Sequence, residues 1–167
     1  GDYGTQFGKM IVAINKWGNV EDIKKDPINN LTTLYRKFHT EAEKDDTLEP
    51  SAREAFRQVE LGNEEYLAMW KWIREESLKE SAQIYDLLEV SFDSYNGEAF
   101  YNDKMEPIVS ELEDKGLLIE DKGAMIVKLG DDMPPALIKR TDGGTLYITR
   151  DLAAVEYRKR EYNFDRA

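Results

Sequence analysis

LLIEDKGAMIVKLGDDMPPALIKRTDGGTLYIT, residues 117–149, is where the patterning of this chain turns from helical to strand-like. Leu117, Leu118 and Ile119, and then residues 124–129, flank Glu120-Asp121-Lys122-Gly123, a combination that reads as a β-hairpin. A second hairpin follows, running from residues 136–139 through the Asp142-Gly143-Gly144 turn to residues 145–149. Four short antiparallel strands are predicted. Residues 152–162 then read as a helix, with Thr149 or Asp151 as its N-cap.

Upstream of the sheet the chain reads as helix. Phe7, Met10, Ile11 and Ile14 recur at intervals of three and four within residues 5–17, and Gly18 stands at the C-cap. Pro27 occupies a first-turn position after Asp26 as N-cap, and Leu31, Leu34, Tyr35 and Phe38 form one helical face. Pro50 and Ser51 restart a short helix carrying Phe56, Val59 and Leu61, which ends at Gly62, and Asn63 caps the next. That next helix, residues 64–89, is the longest; at about 1.5 Å per residue it spans roughly 40 Å and is predicted to be the spine of the scaffold. Its stripe of Tyr66, Trp70, Ile73, Ser77, Ser81, Ile84 and Leu88 reads as core packing rather than a binding groove. Periodicity lapses at residues 91–97, a loop or short strand ending on the turn dipeptide Asn96-Gly97, and residues 106–115 make one more helix before Gly116. Helices first and a small antiparallel sheet in the C-terminal half define an α+β fold, mainly helical.

Composition narrows the chemistry. The 167 residues, 41% hydrophobic and 34% charged, suit a folded chain with much solvated surface. No cysteine is present, which excludes disulfides, thiolate zinc sites and thiol nucleophiles, and the single His39 leaves little for imidazole chemistry. No metal site is predicted. No apolar run approaches the roughly 20 residues that span a bilayer, so no membrane partner is expected and the simplest localisation is cytoplasmic. The net charge of -11 repels phosphate over most of the surface, which confines any nucleic-acid role to a local patch. The chain also starts without Met, inside a glycine-spaced segment, as an internal piece of a longer protein would.

Few residues invite a chemical role. Gly1, Gly4 and Gly8 match neither a dinucleotide loop nor a P-loop and read as tight packing at a strand-to-helix turn. His39 has no recognisable partner set, and the charge runs at residues 41–46 and 111–114 read as solvated faces. The cluster Arg158, Lys159 and Arg160 is the densest basic patch, although cations at a helix C-terminus also complement its dipole. Residues 146–151, LYITRD, carry more, because a strand running into a helix can point side chains into a cleft. Asp151 could bind a guanidinium with two parallel hydrogen bonds and Tyr147 could add a hydroxyl; equally, Asp151 could cap its own helix and Tyr147 fill the core.

Three runs in order, GDYGTQFG (residues 1–8), FDSYNGEAFYND (residues 92–103) and DGGTLYITRDLAA (residues 142–154), resemble segments of arginyl-tRNA synthetases, which are class I aminoacyl-tRNA synthetases. The resemblance runs nearly the whole length of the chain. It implies an excised part of a class I nucleotide-binding fold with its connective insertion: residues 1–19 and 130–167 from the fold, residues 20–129 from the insertion. The implied activity of the parent is an arginine-tRNA ligase reaction, in which arginine and ATP, with magnesium expected, form an adenylate and the arginyl group passes to its tRNA; the implied parent is a monomer. The adenylation motifs of the family, of His-Ile-Gly-His and Lys-Met-Ser-Lys-Ser type, are absent, so no catalytic residue is expected here, no bound cofactor, and no activity from the piece alone. The resemblance also implies that Tyr147 and Asp151 bind the arginine side chain and that Asp2 and Gln6 lie near the active cleft, while the FDSYNGEAFYND run is expected to be a structured connector. A different reading is a freestanding helical module presenting residues 64–89 to a protein or RNA partner.

Overall fold

The computed structural model is described over residues 2–141 and 146–166 and divides into two units, Gly1–Tyr95 and Asn96–Ala167. The first unit is helical: α1 (Thr5–Trp17), α2 (Val20–Lys25), α3 (Pro27–Ala42), α4 (Leu48–Glu60) and α5 (Glu64–Leu87). Its centre is α1, which buries Ile11, Val12, Ala13 and Ile14 and packs against α3, α4 and α5. Phe38 of α3 and Leu48, Ala52, Phe56 and Val59 of α4 complete the core around it. Gly8 permits the closest approach: a Cβ built there would lie 2.0 Å from the backbone oxygen of Ala52, so α1 and α4 meet backbone to backbone. Gly8 thus marks tight packing, but between two helices rather than at a strand-to-helix turn.

Asn63 caps α5 as expected, its side chain accepting from the Glu65 N–H at 3.2 Å. The expected spine is only half realised. Tyr66, Trp70 and Ile73 pack into the core, whereas Ile84 and Leu88 are 55% and 63% exposed and pack against no core of this unit. Between these halves the stripe loses its bulk: Ser77 and Ser81 turn their hydroxyls back onto the carbonyls of Ile73 and Ser77, at 2.8 and 3.0 Å. The short α2 escaped the periodicity argument because six residues bury only Ile23; it is fixed by Asn19, which accepts from the Glu21 and Asp22 N–H groups.

In the second unit a 3-10 helix (Glu98–Lys104) leads into α6 (Met105–Asp114), then β1 (Ile119–Asp121), β2 (Ala124–Val127), β3 (Ala136–Lys139) and α7 (Tyr147–Tyr162). The strands form one antiparallel sheet in the order β1-β2-β3, with the first hairpin closing through Lys122 and Gly123, both at positive φ. Ile126 pairs with Leu137 beside a register irregularity at Met125 and Ile126. Two small cores result. Tyr101, Met105, Ile108, Ala153 and Ala154 form one, and Val109, Ala136 and Ile138 the other.

The predicted fourth strand is corrected: among the described residues the sheet has three strands, and Tyr147, Ile148 and Thr149 form the first turn of α7. The Asp142-Gly143-Gly144 turn and Thr145 lie outside the described residues. The N-cap of α7 is Leu146 rather than Thr149 or Asp151. Tertiary packing overrides the strand preference of the run Leu-Tyr-Ile-Thr. Thr149, Ala153, Ala154 and Tyr157 share one helical face, on which Ala153 and Ala154 seat against Tyr101 and Met105. Thr149 is fully buried and its hydroxyl donates to the Ile138 carbonyl of β3 at 2.6 Å. Replacing it with valine keeps the shape but leaves that carbonyl short of a donor, with an expected loss of about 1–2 kcal/mol read as a lower urea midpoint. An unmoved midpoint would show that the hydroxyl does not tie the helix to the sheet.

Candidate functional site

Tyr147 and Asp151 stand one turn apart on α7, and the i, i+4 spacing sets their side chains over the same face with Cβ atoms about 5–6 Å apart. That face is open. Tyr147 is 71% exposed and Asp151 is also exposed, so neither fills a core and neither caps the helix. The pair is brought together by a helix and not, as expected, by a strand handing over to one.

The same turn is anchored twice, by Thr149 on its opposite side and by Arg150 at the flank, three positions from Tyr147. Thr149 is tied to β3, and Arg150, whose side chain is 13% exposed, reaches the 3-10 helix. Its Nη1 donates to Glu98 Oε2 at 3.2 Å and its Nε to Asn102 Oδ1 at 3.3 Å. The 3-10 helix is itself held to α7 by edge-on ring contacts, with Phe100 and Tyr101 placing their centroids 4.9 and 5.8 Å from that of Tyr157. Beside it, the Lys104 ammonium donates to Asp103 at 2.7 Å and holds that carboxyl below the usual carboxylate range. Within this unit the EAFYND segment is therefore a structured support whose target is α7. Glu98, Asn102 and Arg150 escaped the sequence reading because their partners lie about fifty positions apart, beyond any periodicity; the only signal was that all three fall inside the distinctive runs.

Asp2 and Gln6 belong to the first unit. The Asp2 carboxylate pairs with Arg74 Nε at 2.8 Å and its carbonyl accepts from Trp70 Nε1 at 2.9 Å, so its polar atoms serve the packing of α5. Gln6 is exposed and donates to the Tyr3 carbonyl. His39 meets Tyr35 ring to edge at 4.7 Å. In the basic cluster, Lys159 donates to the Phe164 carbonyl, Arg160 pairs with Glu156 at 3.3 Å and Arg158 lies over the Tyr101 ring, contacts that suit local packing at a helix end. Among the described residues no helix is long and apolar enough to cross a membrane, and no group of three or more His, Asp or Glu could hold a metal ion.

Known proteins place this chain in a lineage. The chain is 61% identical over 164 residues to the arginine--tRNA ligase of Lactobacillus johnsonii, covering 98% of this chain and 29% of that protein. It is 59% identical over 165 residues to the arginine--tRNA ligase of Enterococcus faecalis, with the same coverage. It thus spans about 29% of the length of these relatives. The crystal structure of arginyl-tRNA synthetase from Plasmodium falciparum superposes with a TM-score of 0.78 at 25% identity, covering 98% of this chain and 27% of that one. The family model for the catalytic domain of class I tRNA synthetases of the arginine type matches residues 1–167, and with these identities it establishes that the chain belongs to the arginyl-tRNA synthetase family.

Proposed function

We propose that this chain supplies part of the arginine pocket of an arginine-tRNA ligase, with α7 presenting Tyr147 and Asp151 to the substrate side chain. The observation that carries the reading is the pairing of a phenol and a carboxylate, one turn apart, on the open face of a helix whose first turn is fixed through Thr149 and Arg150. A guanidinium lying over that face donates two parallel hydrogen bonds to the carboxylate and a further one to the phenol oxygen. Lysine is rejected because a single ammonium cannot satisfy both carboxylate oxygens in that geometry, and a neutral side chain leaves the charge unpaired.

An exposed ion pair in water is worth only about 0–1 kcal/mol. Asp151 is exposed in this chain, so the grip depends on the rest of the ligase to exclude water, and the chain alone binds arginine weakly and charges no tRNA. In this reading residues 1–19 and 130–167 belong to the nucleotide-binding fold and residues 20–129 to the connective insertion. ATP and the arginine tRNA meet the intact enzyme, with magnesium accompanying the ATP. That enzyme is a cytoplasmic monomer with no membrane partner, and Asp2 and Gln6 lie toward its cleft.

Tyr147→Phe in the full-length ligase tests the pocket. Losing a hydrogen bond to a charged group costs about 1.5–3 kcal/mol, so the Michaelis constant for arginine should rise roughly tenfold or more while that for ATP stays put. An arginine constant that does not move would remove the phenol from the pocket.

A further inference from the structure

Independently of the arginine pocket, we propose that Asn96 is a site of spontaneous covalent modification, where the native backbone lets the asparagine deamidate through a cyclic imide. Asn96 is the one asparagine of the sequence that precedes a glycine. Asn96 and Gly97 open the second unit, are half-buried, and belong to no helix or strand. Among the described residues the Gly97 N–H has no hydrogen-bond acceptor and the Asn96 side chain has no hydrogen-bond partner. Gly97 carries no Cβ to shield its nitrogen, which therefore stands open to the side chain that precedes it.

The other asparagines are restrained, which makes the chain its own control. Asn15, Asn29 and Asn30 lie inside α1 and α3, where the N–H of the following residue is committed to a helical bond. Asn19 and Asn63 turn their side-chain oxygens onto first-turn N–H groups of α2 and α5, and Asn102 accepts from Arg150. Asn163 is followed by the bulk of Phe164.

The chemistry needs only water. The Gly97 nitrogen gives up its proton and bonds to the Asn96 side-chain carbonyl carbon, while the amide nitrogen takes a proton and leaves as ammonia, which closes the imide. Water then opens the ring at either carbonyl. One opening leaves aspartate; the other leaves isoaspartate, whose main chain runs through the former side chain and is longer by a methylene. Both products add a negative charge to an acidic chain. The longer one also displaces the Gly97 carbonyl, which accepts from the Phe100 N–H at 3.1 Å in the opening turn of the 3-10 helix.

The test ages the full-length ligase at mildly alkaline pH, folded and in urea, and maps its peptides by mass spectrometry. An isoaspartyl carboxyl methyltransferase with a labelled methyl donor is the second probe. In the folded ligase the Asn96 peptide should lose its amide, split into two isomeric acids and accept the label, at a rate within about tenfold of that in urea. The peptides of Asn63 and Asn102 should stay intact over the same period. Gly97→Ala keeps an accessible backbone, since φ is -76° there, and should slow the loss by about tenfold or more. The imide route is overturned if the folded ligase keeps the Asn96 amide while the unfolded one loses it, or if aspartate forms without isoaspartate. It is equally overturned if Asn63 or Asn102 is lost as fast as Asn96, or if Gly97→Ala with an unchanged melting temperature deamidates at the original rate. The unaltered ligase decides the first three outcomes, so the test stands even where the variant folds poorly.

Discussion

Asp151→Ala in the full-length ligase should raise the Michaelis constant for arginine by roughly 10²–10³-fold, the largest effect expected of any single change in this chain. In the proposed pocket the carboxylate is the only anion offered to the guanidinium by α7, and truncating one partner of a hydrogen-bonded, water-excluded charge pair costs about 2–5 kcal/mol. Much of that cost falls on the arginine, whose charge enters the site with nothing to pair against. The effect should be confined to one substrate: the Michaelis constant for ATP should remain at its original value, since α7 is not asked to hold the nucleotide. Because Asp151 is exposed and the helix is anchored through Thr149 and Arg150 rather than through it, stability should change little. Steady-state charging kinetics decide the matter, and an unchanged arginine constant would take Asp151 out of the pocket.

The second large effect concerns stability. Gly8→Ala should destabilise the chain by about 3 kcal/mol, near the upper end of the range for overpacking, because the added carbon meets a backbone carbonyl that has no rotamer to escape into. The gain in helix propensity from glycine to alanine, about 1 kcal/mol, would offset only part of the clash. The two helices must therefore separate, and α1 is the element on which α3, α4 and α5 all pack. Urea unfolding of the purified chain reads the loss directly. A midpoint equal to that of the unaltered chain would mean that α1 and α4 do not approach as closely as described.

The elements legible in the sequence were those whose ends carry local chemistry. Helix α1 runs over the expected residues 5–17 because its apolar spacing and its flanking glycines agree, and α5 starts where Asn63 says it should. The first hairpin was legible from its Lys-Gly turn, although β1 begins at Ile119, two residues later than predicted. What failed was decided at a distance. Residues 147–149 have the composition of a strand, and only the burial of Thr149 against β3 and of Ala153 and Ala154 against Tyr101 and Met105 makes them helical. The back half of α5 has the spacing of a core stripe, but periodicity reports which residues share a face and not whether anything covers it.

The site followed the same division. An arginine-binding role for Tyr147 and Asp151 is proposed from the resemblance of the run that contains them. That they share one face was not legible in the sequence, since a strand-to-helix junction would have separated them by geometry that only coordinates supply. The hydrogen bonds of Arg150 to Asn102 and Glu98 join residues 48 and 52 positions apart, and no local pattern announces such pairs.

Those two ties, from Thr149 and from Arg150, bear on affinity as well as on shape. Ordering a residue's backbone costs about 1–2 kcal/mol, and a helix end left to itself frays. In α7 the leading turn is already immobilised by partners elsewhere in the same unit, so this cost falls on folding rather than on ligand capture. In the proposed pocket a cation settling over the open face would meet a receptor assembled beforehand, and its intrinsic attraction would carry undiminished into the dissociation constant.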